Sequence, residues 1–133
     1  MNVAMRKFKS DIVSIKIVHP YAWLWEPLES DASFLLRPMF GAKAVYLNGK
    51  LMFCFIAKAE PWRGVLVATD RENHASLMAD FPDLSPHSVL RKWLYLRESS
   101  DAFESVAGDL VRLARQRDSR IGVTPQPRKR KRA

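Results

Sequence analysis

Hydrophobic residues fall into blocks whose spacing changes along the chain, and the changes mark the elements. Residues 12–18 (IVSIKIV) are dominated by β-branched side chains and predict a short strand or extended arm. Pro20 then opens Tyr21-Ala-Trp-Leu-Trp-Glu as a helical turn, which Pro27 stops or kinks. Beyond a polar connector at 30–33 the pattern becomes extended. Strands are expected at 35–40, where Pro38 argues for an edge, and at 42–47. Asn48-Gly49 is a two-residue hairpin signal, because both positions tolerate the positive φ of a type I′ turn. The return strand covers 50–57, a loop follows at 58–63, and the next strand covers 64–69.

Residues 51–56 and 65–68 are apolar at both parities, so these strands are expected to be covered on both faces. One face needs helices. The other needs the N-terminal segment or a second subunit. Thr69-x-x-Glu72 reads as a capping box for a helix carrying Leu77, Met78 and Phe81 and ending at Pro82. A loop at 83–88 leads to a strand over 89–96. Asp101-x-x-Glu104 opens the last helix, whose Phe103, Val106, Ala107, Leu110, Val111, Leu113 and Ala114 recur at helical spacing. The fold class that follows is α+β: a mostly antiparallel sheet with consecutive hairpins, packed with two to three helices.

Length adds one constraint. The 133 residues fit one domain, expected over 1–120, with a disordered basic tail at 121–133. The tail expectation comes from Pro125, Pro127 and the like-charge run Arg128, Lys129, Arg130, Lys131 and Arg132. The net charge of +8 is concentrated here. Residues 1–111 hold 13 Lys/Arg against 13 Asp/Glu, whereas residues 112–133 hold nine Lys/Arg against Asp118 alone. The molecule therefore reads as a neutral body with a cationic C-terminal segment. That segment is either an electrostatic arm for nucleic acid or another polyanion, or a solubilising tail.

The longest apolar run, 51–57, has seven residues, far short of the ~20 of a membrane helix, so no membrane partner is expected. Residues 1–10 carry basic side chains without the apolar stretch of a secretory signal. The single cysteine, Cys54, excludes an internal disulfide and fits a reducing, cytoplasmic compartment.

Groups that do chemistry are sparse. His19, His74 and His87 lack a second ligand at i+3 or i+4, and no phosphate-cradling glycine loop or G-x-S-x-G turn occurs. Cys54 lies in an apolar strand and reads as core. Asp80, Asp83 and His87 are close in sequence and read as a turn before they read as an acid–base cluster. The expectation is a non-enzymatic protein without catalytic residues, metal or cofactor. The surface candidates for nucleic acid are Lys58, Trp62 and Arg63 in the 58–63 loop, where an aromatic ring and cations can stack on a base and bind phosphate, alongside Arg128 to Arg132. The alternative for Trp62 is folding back onto the sheet. Trp23 and Trp25, two apart in a helical turn, point to different sides; they form either a partner contact or a wide buried face.

Residues 37–53 (RPMFGAKAVYLNGKLMF) resemble the signature of TfoX/Sxy N-terminal domains, in which R-x-M-F-G precedes a short strand, a D/N-G turn and an M-F-A strand. Residues 65–70 look like that family's next strand, and 81–87 with the segment around Trp93 are similar to the related MmcQ/YjbR domains. The likeness covers roughly residues 34–117. It departs after Gly41, where the family has a second glycine and this chain has Ala42. It departs again at the C-terminus, where TfoX regulators carry a helical domain. The resemblance implies a non-enzymatic α+β domain connected with transcriptional regulation or DNA. The competing expectation is a protein–protein adaptor or homodimer whose basic tail only solubilises.

Overall fold

A computed structural model of the chain describes residues 19–39 and 41–125. The strand expected at 12–18 and the run 128–132 lie outside the described residues, as does Phe40. Six strands form one antiparallel sheet in the order β1-β2-β3-β4-β6-β5: β1 (Leu35–Met39), β2 (Ala42–Leu47), β3 (Lys50–Ala57), β4 (Arg63–Val67), β5 (Ser85–Pro86) and β6 (Leu94–Arg97). Three helices join it: α1 (Ala22–Trp25), extended by a 3₁₀ turn at Glu26–Leu28; α2 (His74–Asp80), preceded by a 3₁₀ turn at Arg71–Asn73; and α3 (Phe103–Arg115). The α+β class and the run of hairpins follow the sequence pattern.

The β2–β3 turn has the backbone its residues favour, with φ of 53° at Asn48 and 77° at Gly49. An irregularity at Val45/Tyr46 shifts the register, so Met52 and Phe53 both join the helix-side core. That core stacks Phe53, Phe55, Val65, Val67, Leu94 and Leu96 against α1 and α3. The α3 stripe Phe103, Val106, Ala107, Leu110, Val111 and Ala114 supplies most of the cover. Each large side chain taken fully out of water there stabilises by about 1.5–3 kcal/mol. Trp25 meets Phe55 with ring centroids 5.3 Å apart, and Tyr21 meets Phe103 at 5.5 Å. On the opposite face Ala42, Ala44, Leu51, Cys54, Ile56, Leu66, Ala68 and Tyr95 are also buried. Partly buried Trp62, Trp93 and Val123 pack against them. Strand β3 is thus enclosed on both sides.

Three local expectations are corrected. The strand placed at 89–96 is confined to Leu94–Arg97, and its first half is a loop. The His87 imidazole accepts the N–H groups of Val89 (3.1 Å) and Leu90 (2.9 Å) at Nδ1, which curls the chain out of the extended state. The Thr69-x-x-Glu72 capping box does not form. Thr69 donates its hydroxyl to the Arg120 carbonyl at 2.6 Å, so α2 starts later without a side-chain cap. The last helix begins at Phe103, also without a side-chain cap. Finally, residues 121–123 belong to the body. Ile121 is buried, Gly122 N–H donates to the Ala68 carbonyl (2.7 Å), and Val123 exchanges both backbone hydrogen bonds with Leu51.

Candidate functional site

The loop between β3 and β4 folds Trp62 back onto the sheet and leaves Lys58 and Arg63 exposed. Lys58 N–H donates to the Trp62 carbonyl and Trp62 N–H to the Ala59 carbonyl, each at 2.8 Å, around a cis Glu60–Pro61 peptide. From β6 the Tyr95 hydroxyl reaches into the loop, accepting Arg63 N–H and lying 2.8 Å from Glu60 Oε1, to which it donates. Burial pushes the Tyr95 phenol up to about 12. Behind it His87, 1% exposed, donates Nε2–H to the Pro61 carbonyl at 2.7 Å while its Nδ1 accepts as described, so both ring nitrogens are used and the tautomer is fixed.

The Trp62 ring packs on that imidazole with centroids 4.4 Å apart, so Trp62 is folded back onto the sheet. Arg63 Nε is 2.6 Å from Glu98 Oε1, and its Nη1 donates to the Lys58 carbonyl. Arg63 first, and then the Tyr21 hydroxyl, hold the Glu98 carboxyl below the usual range. Arg97 lies over the Tyr95 ring at 5.7 Å and 3.9 Å from Glu60. The Lys58 side chain lies against Gly41. Cations at this end of the sheet are interleaved with Glu60 and Glu98.

At the opposite end Arg117 and Arg120 are each paired with carboxylates. Arg117 Nη2 is 2.9 Å from Asp31 Oδ2. Asp31 Oδ1 accepts the N–H and hydroxyl of Ser33 (2.8 and 2.7 Å), and Ser33 Oγ accepts Asn48 N–H at 2.9 Å. This relay ties the end of α3 to the β2–β3 turn. Arg120 is locked more tightly. It lies 2.9 Å from Asp118 and 2.8 Å from Asp80, and these carboxylates hold its guanidinium above the ordinary arginine value. In return Arg120 holds the Asp118 carboxyl low. Past Arg120 the chain is bonded to Ala68 and Leu51 as described, so it leaves the body at Val123, beside Lys50. The run 128–132 begins five residues farther on. Leu51 and Lys58 are seven residues apart on an extended strand, or about 23 Å. The chain therefore leaves the described fold at the end of the sheet opposite the Lys58–Trp62–Arg63 loop, and Arg128 to Arg132 lie outside the described residues.

Trp23 and Arg115 carry more of the surface chemistry than the sequence reading gave them. Trp25 is buried, whereas Trp23 is 46% exposed. Trp23 borders a groove of about 290 Å³ with Pro27, Gly108, Val111, Arg112 and Arg115. The last four follow i, i+3, i+4, i+7 on α3, a spacing that marks one helix face.

The remaining polar candidates do not converge. His74 Nε2–H donates to the Lys92 carbonyl at 2.8 Å, Asp83 accepts the Ser100 hydroxyl, and Asp80 pairs with Arg120. Cys54 is 0% exposed, and burial pushes its thiol up to about 12. Among the described residues no three His, Cys, Asp or Glu side chains are grouped to hold a metal, and no helix is long and apolar enough to cross a membrane. No protein-family model matches the chain, and no curated protein or solved structure is significantly similar to it.

Proposed function

We propose that this protein is a non-enzymatic, nucleic-acid-associated accessory protein that holds the phosphate backbone with its cationic C-terminal segment. The observation that carries the reading is the place where that segment leaves the fold. The chain departs beside Leu51, next to Lys50, at the end of the molecule where Arg115 and Arg117 also lie. There Arg117 is paired with Asp31 and Arg120 with Asp80 and Asp118, so the described end is charge-balanced and the five consecutive cations of the C-terminal segment are the unbalanced charge. A neutral body gives little long-range attraction of its own, so the segment supplies the steering field. The TfoX-like motif adds a link to transcriptional regulation. The buried, unreactive Cys54 accords with a reducing, cytoplasmic setting.

The test is a binding titration on duplex DNA at several salt concentrations, for the full chain and for a chain ending at residue 127. Each phosphate neutralised contributes about 0.9 to the log–log slope, so losing five cations lowers the slope by up to about 4.5. The loss is similar on unrelated sequences, because phosphate contacts carry no base information. Equal affinity and slope for the two chains would assign the segment to solubility and leave the adaptor reading in front.

A further inference from the structure

The nucleic-acid reading leaves the exposed Trp23 unused, and the inference below rests on that reading. We infer that the groove between α1 and α3 seats one unpaired base of a single-stranded nucleic acid, with Trp23 as the stacking surface and Arg115 and Arg112 on the flanking phosphates.

Four observations support it. Trp23 is 46% exposed although its helix neighbours Leu24 and Trp25 are buried at 3% and 4%, so it faces solvent from a turn whose other side is packed into the core. The groove it borders is open where Gly108 lies. A Cβ built at Gly108 meets nothing within 4 Å, so packing of α3 on α1 does not require a glycine. Glycine is a poor residue for a helix interior, and here its effect is to keep the groove floor clear. Among the described residues Arg115 has no ion-pair partner, whereas Arg112 shares its charge with Asp109. Lastly, the Arg115 end of α3 is the end tied through Arg117, Asp31 and Ser33 to the β2–β3 turn, where the chain leaves toward 128–132.

Charge also sets the direction of the strand. On its other side Trp23 borders a second groove, of about 520 Å³, lined by Glu98, Asp101 and Glu104. Those carboxylates repel phosphate. A strand seated on Trp23 therefore runs along Arg112 and Arg115 toward the C-terminal end of α3, not toward its start. Stacking on an aromatic ring is tolerant of base identity and needs an unpaired base. Duplex DNA, whose bases are already stacked, gains nothing from the groove.

The experiment uses the full chain and a fluorescein-labelled oligothymidylate of about 12 nucleotides, within the usual span of a single-strand site. Gly108→Leu fills the groove without touching Trp23 and replaces glycine with a better helix former, so the variant folds. Trp23→Ala removes the ring and Trp23→Phe keeps one. Gly108→Leu and Trp23→Ala are expected to weaken oligothymidylate binding about 5- to 150-fold, the range for losing one stacked base. Trp23→Phe retains most of the affinity, and all three bind duplex DNA as the unsubstituted chain does. Unchanged oligothymidylate affinity in Gly108→Leu and Trp23→Ala overturns the inference and leaves the groove to a protein partner. Salt-dependent duplex binding in the same preparations then leaves the proposed function standing. Failure of the unsubstituted chain to bind either nucleic acid overturns both.

Discussion

Gly64 is the residue whose replacement tests the sheet geometry most severely. It sits in β4 at φ 142°, a conformation L residues rarely adopt, and pairs with Arg97 of β6. A Cβ at this position collides with the Leu96 carbonyl oxygen and comes within 3.0 Å of Glu98 N and 3.1 Å of Arg97 Cα. All three are backbone atoms of β6 and the residue that follows it, so no side chain can swing away. In Gly64→Ala the φ strain costs about 1–3 kcal/mol. Overpacking adds about 1–3 kcal/mol. Prising the two strands apart forfeits the Glu98 N–H···Arg63 O bond, now 3.0 Å, worth about 0.5–1.5 kcal/mol. Reduced freedom of the unfolded chain returns about 0.4–1 kcal/mol. The net loss is about 4 kcal/mol, a large part of the 5–15 kcal/mol typical of a domain. The control is Gly49→Ala, at φ 77° with nothing within 4 Å of its Cβ. It carries only the strain, and its loss is about 1 kcal/mol. Urea unfolding of both variants, followed by far-UV circular dichroism, reads the difference. Losses equal within about 0.5 kcal/mol would refute the placement of Gly64 against the β6 backbone.

Cys54 in the native protein should react with a thiol reagent orders of magnitude more slowly than in urea, because burial holds its thiol up at about 12; equal rates would contradict its place in the core. The Tyr95 phenol is likewise raised to about 12 from 10, so the neutral form stabilises the fold below pH 10, and that contribution, about 2–3 kcal/mol, is lost as pH rises through 12. Tyr95→Phe reduces the alkaline limb, leaving the share of Tyr21, whose phenol burial also raises, and costs about 1–3 kcal/mol at neutral pH through the lost bonds to Glu60 and Arg63; an unchanged limb in pH-dependent urea unfolding would refute the assignment. The Asp118 carboxyl, lowered by Arg120, stabilises the fold above its unfolded value near ~3.9, and this contribution disappears as pH falls below it. Arg120→Met should therefore lower stability at pH 7 and flatten the acid limb of the same profile; an acid limb as steep as that of the unsubstituted chain would speak against the pair.

What could be read in advance was what local chemistry decides. Asn48-Gly49 specifies its turn unaided, the 103–114 stripe specifies a helix face, and the doubly apolar run 51–56 specifies a strand enclosed on both sides. Misreadings arose where a distant partner intervened. The Thr69 hydroxyl is taken by a carbonyl 51 residues away, so the capping box fails. His87 is held by Pro61, 26 residues earlier, and from that position bends the segment read as strand. Trp62 stood between a surface contact and a return onto the sheet, because nothing nearby in sequence announces the His87 imidazole it packs on. Ile121 and Val123 looked like tail because Ala68 and Leu51, their hydrogen-bonding neighbourhood, are far away in sequence. The charge of the C-terminal segment was plain from composition. Its place of departure, which decides what that charge adds to, depends on the Val123–Leu51 bridge and could not be read from the sequence.

The most direct test of the central claim is to see which end of the sheet faces the nucleic acid. Amide chemical-shift mapping of the full chain during titration with a short DNA duplex reports this residue by residue. The account predicts perturbations at Lys50, Arg115, Arg117 and Val123, with the amides of Lys58, Trp62 and Arg63 unmoved. Perturbations centred on the Lys58–Arg63 loop, or a titration that leaves the Lys50–Val123 end unshifted, would contradict it.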